Sequence, residues 1–255
     1  MSWSALDWAI LGPALIAGLL VLATHVPLGM QVLARGIVFI DLAIAQIAGL
    51  GVICADALGL PERGLAVQAS ALLAALLGAM VLTYTERRAP KQQEALIGVI
   101  FVLAACAGIL VLASNPHGGE HLRDLLVGQI LWVNTTQLIW LAVVTAVVLA
   151  ACVFGWMKRL GGYGFYAVFA LAVTVSVQIV GIYLVFSSLI IPALATRGHA
   201  GRRRTVAAYA IGAAGYLIGL ALSAVLDLPS GAVIVWALAA CGLAVGLGWR
   251  TAASA

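Results

Sequence analysis

An acid inside an apolar run is the first residue whose chemistry needs explaining. Asp41 lies in GIVFIDLAIAQIAGLG, residues 36–51. A charged Asp at the centre of a membrane helix costs about 3 kcal/mol even on the lenient insertion scale, so such residues face a bundle interior or a watery route. Asp41 is therefore read as facing such an interior or route. Ala45 shares its helix face, whereas Gln46 lies roughly 140° around the axis, so this helix alone does not present two ligands on one side. Gln178, in AVTVSVQIVGIYLVF after Thr174 and Ser176, is a second polar position. Such groups either line the route or hydrogen-bond between helices. His25, beside Pro27, is open to both roles, an interfacial histidine being more often structural than a ligand.

The densest set of candidate ligands is in NPHGGEHLRDLLVG, where His117, Glu120 and His121 fall within five residues. In a helix the two histidines share a face with Glu120 beside them, a spacing able to present imidazole nitrogens to a divalent cation or to contact a partner. A solvated capping loop explains the same residues. The four cysteines stand singly in apolar runs with no CxxC pair, which argues for packing and against a thiolate cage or disulfide framework. No GxxxxGK[ST] motif and no nucleophile with base and orienting group occurs, so neither covalent chemistry nor ATP hydrolysis is expected of this chain.

The elements that must position these residues are membrane helices. Hydrophobic residues make up 64% of the 255 and charged ones 9%, proportions foreign to soluble domains. A hydrocarbon core of ~30 Å needs about 20 helical residues, and spans are expected near 8–28, 36–58, 64–84, 95–114, 136–157, 163–182, 205–226 and 231–249. The shorter piece YLVFSSLIIPALAT, 183–196, contains Pro192 and is a ninth short crossing or the second half of a broken helix. The expected fold is an all-α polytopic bundle of about eight to nine transmembrane helices, one short or broken, forming one transmembrane domain over 1–255. Small residues along Gly212–Gly219 predict close helix packing.

Charge placement sets the orientation, because Lys and Arg flanking spans stay cytoplasmic. Of thirteen basic residues, all but Arg63 and Arg123 then fall on one side, with the N-terminus outside and the C-terminus inside. That needs an odd number of crossings. Asp7, Asp56, Glu62, Glu120, Asp124 and Asp227 lie near the outer loops. The net charge of +4 belongs to these cytoplasmic loops; the partner surface is lipid and no nucleic acid is expected. The first residues lack a basic leader, so no cleavable signal is read there.

Five stretches in order, RGIVFIDLAIAQIAGLG (35–51), EALIGVIF (94–101), HGGEHLRDLLVGQILWV (117–133), SVQIVGIYLVFSSLIIPALAT (176–196) and LDLPSGAVIV (226–235), are together similar to the permeases of ATP-binding-cassette importers for zinc, manganese and iron. The resemblance implies a multi-pass protein of the cell (inner) membrane, a homodimer, with a cytoplasmic ATP-binding subunit and an extracytoplasmic metal-binding protein. The metal is substrate; no other cofactor is expected. Asp41 matches the acid of the family's Ser-Asp-Ala-x-Ser-His stretch, with Ala45 in place of the histidine and Gln46 following.

Relatives carry a docking segment of the Asp-Pro-Glu-x-Ala type between the fifth and sixth spans. Here GWMKRLGG (155–162) runs directly into the next span, leaving Lys158, Arg159, Gly161 and Gly162 as the ATPase-facing residues. This departure motivates a second reading, an uncoupled or repurposed relative; a third is a permease for a metal chelate or organic cofactor, with a wider and less acidic cavity. The residues do not choose among the three metals.

Overall fold

A computed structural model describes residues 8–60, 65–113, 118–159 and 161–253, the side chains of Gly118, Glu120, His121, Met157, Lys158 and 247–253 excepted. Among the described residues the regular structure is all helical: α1 (Trp8–Arg35), α2 (Ile40–Ala57), α3 (Leu65–Arg88), α4 (Gln93–Leu112), α5 (Gly118–Val127), α6 (Thr135–Val153), α7 (Trp156–Arg159), α8 (Gly161–Val180), α9 (Ile182–Ala195), α10 (Gly201–Leu226) and α11 (Ser230–Ala253). Seven of these are long and apolar enough to cross a membrane, namely α1 to α3, the segment ending in α4, α6, α8 and α10, while α9 and the apolar part of α11 are shorter. The expected bundle of membrane helices is thus observed.

Close approaches fix the helix directions. Ile47 on α2 abuts Gly78 on α3, and Gly51 abuts Ser70 to Ala74, so α2 and α3 are antiparallel. Ile53 abuts Gly108 on α4, while Glu94 at the start of α4 bonds the residue before α2. α2 and α4 are therefore parallel, and their first turns lie at the same end as the last turn of α3. Arg35, Arg87, Arg88 and Lys91 gather at this basic end.

At the opposite end the chain breaks at Gly181, the residue between α8 and α9. Its φ of 80° and ψ of 162° lie in a region essentially restricted to glycine. Gly128, after α5, has φ 73°, and a Cβ on either glycine would overlap the other's backbone. The Gln129 N–H donates to the Ile179 carbonyl at 3.2 Å. Val127 in turn lies against Gly231, at the start of α11. One glycine junction therefore gathers α5, the α8–α9 break and α11.

α9 leaves this junction alongside α11, since Gly242 lies against Ile191 and Ala195. It returns toward the basic end. Its 14 residues span about 21 Å at 1.5 Å per residue, less than the hydrocarbon depth. α9 is enclosed instead by α1, α10 and α11, with Ile182, Leu184, Val185, Ser187, Ser188, Leu189, Ile190, Pro192 and Ala193 buried. Pro192 removes one backbone donor, and Ser188 and Thr196 bond the carbonyls of Leu184 (2.6 Å) and Pro192 (2.8 Å).

The remaining turns follow local chemistry. Asn134 and Gln137 form a reciprocal capping box at the start of α6, with N–H to oxygen distances of 2.9 and 3.0 Å. α10 ends at Asp227 in the left-handed region (φ 54°), where Asp is tolerated. Pro229 then prevents continuation, and Ser230 opens α11. The expected close packing along Gly212–Gly219 is present: Gly212 meets Leu22, Gly215 meets Leu238 and Gly219 meets Ile234.

Candidate functional site

Asp41 occupies the first turn of α2, at the basic end of the bundle. The helix begins there because residues 36–39 form a turn: the Gly36 N–H bonds the Leu33 carbonyl and the Ile37 N–H bonds that of Val32. At a helix N-terminus the unpaired backbone N–H groups favour a negative charge. Asp41 is completely buried, yet neither carboxyl oxygen has a hydrogen-bond partner among the described residues. A buried carboxylate left so requires a cation, a proton or water.

The surrounding polar frame is built from neighbouring helix ends. Glu94 Oε1 accepts the Phe39 N–H at 3.2 Å. Gln93 Nε2 donates to the Leu82 carbonyl (3.0 Å) and the Tyr166 hydroxyl (3.1 Å), joining α3, α4 and α8. Gln93 Oε1 and Glu94 Oε2 are buried without hydrogen-bond partners among the described residues. Arg35 pairs with Glu86 at 3.6 Å and lies 4.0 Å from the Phe165 ring centroid. Arg87 stands 4.3 Å over Tyr163.

The other anticipated positions are dispersed. Ala45 is buried on α2 and Gln46 is half-buried. Gln178 lies near the far end of α8, where Gln68 of α3 donates to its side-chain oxygen; its own amide nitrogen is buried without a partner among the described residues. Asp41 and Gln178 thus sit at opposite ends of the bundle. No group of three His, Cys, Asp or Glu side chains able to hold a metal occurs among the described residues.

His25 is wholly buried, with Nδ1 2.9 Å from the Val21 carbonyl and 3.0 Å from Thr24 Oγ1. A carbonyl only accepts, so Nδ1 carries the proton and Nε2 presents a lone pair. Nε2 has no partner among the described residues.

His117 lies outside the described residues, and so do the side chains of Glu120 and His121. The backbone of Gly118–Val127 is helical. Nearby, Arg123, Asp124, Gln129, Trp132, Leu228 and Ser230 line an open pocket of about 370 Å³. Asp124 accepts from Gln129 Nε2 at 2.7 Å. At the basic end, the connection from α6 to α8 holds only the single turn α7. Arg159 and Gly161 are exposed and Gly162 half-buried, while the Lys158 side chain is outside the described residues.

Sequence reasoning missed Gln93, Glu94 and Glu86 as parts of the polar frame, and Gln68 as the partner of Gln178 at the far end. Glu94 opens the EALIGVIF stretch, and its place just ahead of an apolar span is the signal that could have found it.

The described residues thus form a multi-pass helical membrane protein with a buried, orphaned acid at the basic end, a transport component in architecture. The chain belongs to the ABC 3 transport family, whose model matches residues 7–161 and 158–247. The two matched pieces meet at the α7–α8 junction. The chain is 25% identical over 246 residues to the high-affinity zinc uptake system membrane protein ZnuB of Haemophilus influenzae, covering 89% of this chain and 92% of that one. It is also 25% identical over 242 residues to a protein of the same organism named "Probable iron transport system membrane protein", covering 87% of each. Among solved structures, PsaBC from Streptococcus pneumoniae in complex with Fab superimposes with a TM-score of 0.74 at 22% identity, over 92% of this chain and 90% of that one.

Proposed function

We propose that this chain is the membrane permease of an ATP-driven importer that carries a divalent metal, zinc, manganese or iron, across the cell (inner) membrane. The observation that carries the reading is Asp41, enclosed with both carboxyl oxygens unpartnered among the described residues. A carboxylate held at a helix N-terminus and short of donors suits a transit site, which must bind a cation and then release it. Membership of a transport family and similarity to zinc and iron uptake proteins support it.

In this reading Asp41 lies toward the cytoplasmic side, since the basic end is cytoplasmic by the orientation rule. Gln46 and Gln178 contribute amide oxygens at other depths. His117, Glu120 and His121 face the extracytoplasmic protein that delivers the metal, or the metal itself. Two copies form the permease, and a separate cytoplasmic subunit hydrolyses ATP. Because one copy encloses its own Asp41 completely, passage requires α2 to part from its neighbours.

Metal accumulation in cells carrying Asp41→Asn tests this. The substitution keeps the side-chain volume and removes the charge. Uptake is expected to fall to the level of cells lacking the permease, with the protein still folded in the membrane. Unchanged accumulation of zinc, manganese and iron would refute the route.

One observation favours a second reading. The α6–α8 connection is a single turn, and the family match divides there, which fits a relative that has lost its ATPase contact. Purification of the tagged chain without any ATP-binding subunit would select it.

A further inference from the structure

The geometry points to the α3–α4 turn, residues 84–94, and not the α6–α8 connection, as the surface on which the cytoplasmic ATP-hydrolysing subunit docks. The inference rests on the permease reading above and names its coupling surface. α3 runs to Arg88, and Pro90 to Gln92 form a tight 3-10 turn before α4. Arg87, Arg88, Pro90, Lys91 and Gln92 are exposed there. The turn's basic side chains fit an acidic patch on a partner.

This turn also grips the segment that carries Asp41. On one flank Glu86 pairs with Arg35, the last residue of α1, at 3.6 Å. On the other, Glu94 takes the Phe39 N–H, two residues before Asp41, at 3.2 Å. Gln93, between these flanks, reaches Tyr166 of α8, and Arg87 covers Tyr163 of the same helix. A push on the turn is therefore delivered to both sides of residues 35–39 and to the start of α8. In the α6–α8 connection, by contrast, α7 is four residues long, and Gly155 and Gly161 on either side of it have φ of 70° and 61°. Glycine is conformationally permissive, so this connection is held less tightly than the α3–α4 turn with its cross-helix bonds.

The test uses the full chain in its native host, with Cys54, Cys106, Cys152 and Cys241 replaced by Ala and one cysteine added as Lys91→Cys or Arg159→Cys. Membranes are treated with a thiol-to-amine crosslinker and adducts are identified by mass spectrometry. Lys91→Cys is expected to link to an ATP-binding-cassette ATPase beside acidic residues, and Arg159→Cys to give no such link. The double variant Arg88→Glu/Lys91→Glu should lower recovery of that ATPase with the tagged chain at least tenfold, the chain itself still eluting as a folded particle. A link from position 159 and none from 91, adducts from 91 with lipid amines alone, or unchanged recovery after charge reversal would overturn the assignment. If the parent chain recovers no ATPase, the permease reading fails and this inference with it; if it does and the variants behave alike, only this inference fails.

Discussion

Glu94 accepts the backbone N–H of Phe39 at 3.2 Å, so the start of α4 holds the residue on which α2 begins. Phe39 has no side-chain cap of its own. A carboxyl group from a distant part of the sequence does what the Glu or Gln at the third position of a capping box otherwise would, and Asp41 follows two positions later.

Glu94→Ala should therefore loosen the 36–39 turn without unfolding the bundle. The lost charged hydrogen bond corresponds to about 1 to 2 kcal/mol. A fall of several degrees in the melting midpoint of the purified protein is expected, together with weakened metal uptake. Glu94→Gln keeps an acceptor and should retain most of both. Equal loss in the two variants would show that acceptance from Phe39 is not what matters.

The glycine junction predicts a harsher outcome. Gly181→Ala places a side chain at φ 80° and drives it into the backbone around Gly128. Strain of this kind with backbone overlap costs about 3 kcal/mol or more. Size-exclusion profiles of a fluorescent fusion should show the monodisperse peak largely lost, whereas alanine at Gly12, which has open space around it, should leave the peak intact.

The α1–α10 contact can be tested by compensation. The Tyr216 hydroxyl lies 2.9 Å from Ser188 Oγ, while its ring lies against Gly18. Tyr216→Phe removes a single intramembrane hydrogen bond, about 1 kcal/mol. Gly18→Ala forces the ring aside and should destabilise more. Combining Gly18→Ala with Tyr216→Leu should recover part of that loss in thermal melts; strictly additive effects would contradict the contact.

Reporter fusions decide whether α9 crosses. A phosphatase active only outside the cytoplasm should be silent when fused after Arg204 and active when fused after Asp227. The opposite pattern would mean that α9 does not traverse the membrane and that α10 runs the other way.

The helices were legible in the sequence because long apolar runs leave no alternative in hydrocarbon. The segment 183–196 was ambiguous for a physical reason: its 14 helical residues lie below the length of a self-sufficient span, and only its packing beside α11 shows that it returns. Asp41 was legible as a buried acid. Its place in the first turn of α2 was not, since Ile37, Val38 and Phe39 continue the apolar run and Gly36 alone punctuates it. Nor could the sequence reveal that Glu94 caps α2, a contact made across 55 positions. The wide separation of Asp41 and Gln178 along the bundle needed the helix directions.

The shortness of α9 bears on how the protein is made. A segment of that length is a poor anchor by itself during membrane insertion, so its position is conferred by α1, already in place, and by α11, synthesised afterwards. Chains cut after residue 196 should leave this segment unsettled, and the last two helices act as its late clamp during biogenesis.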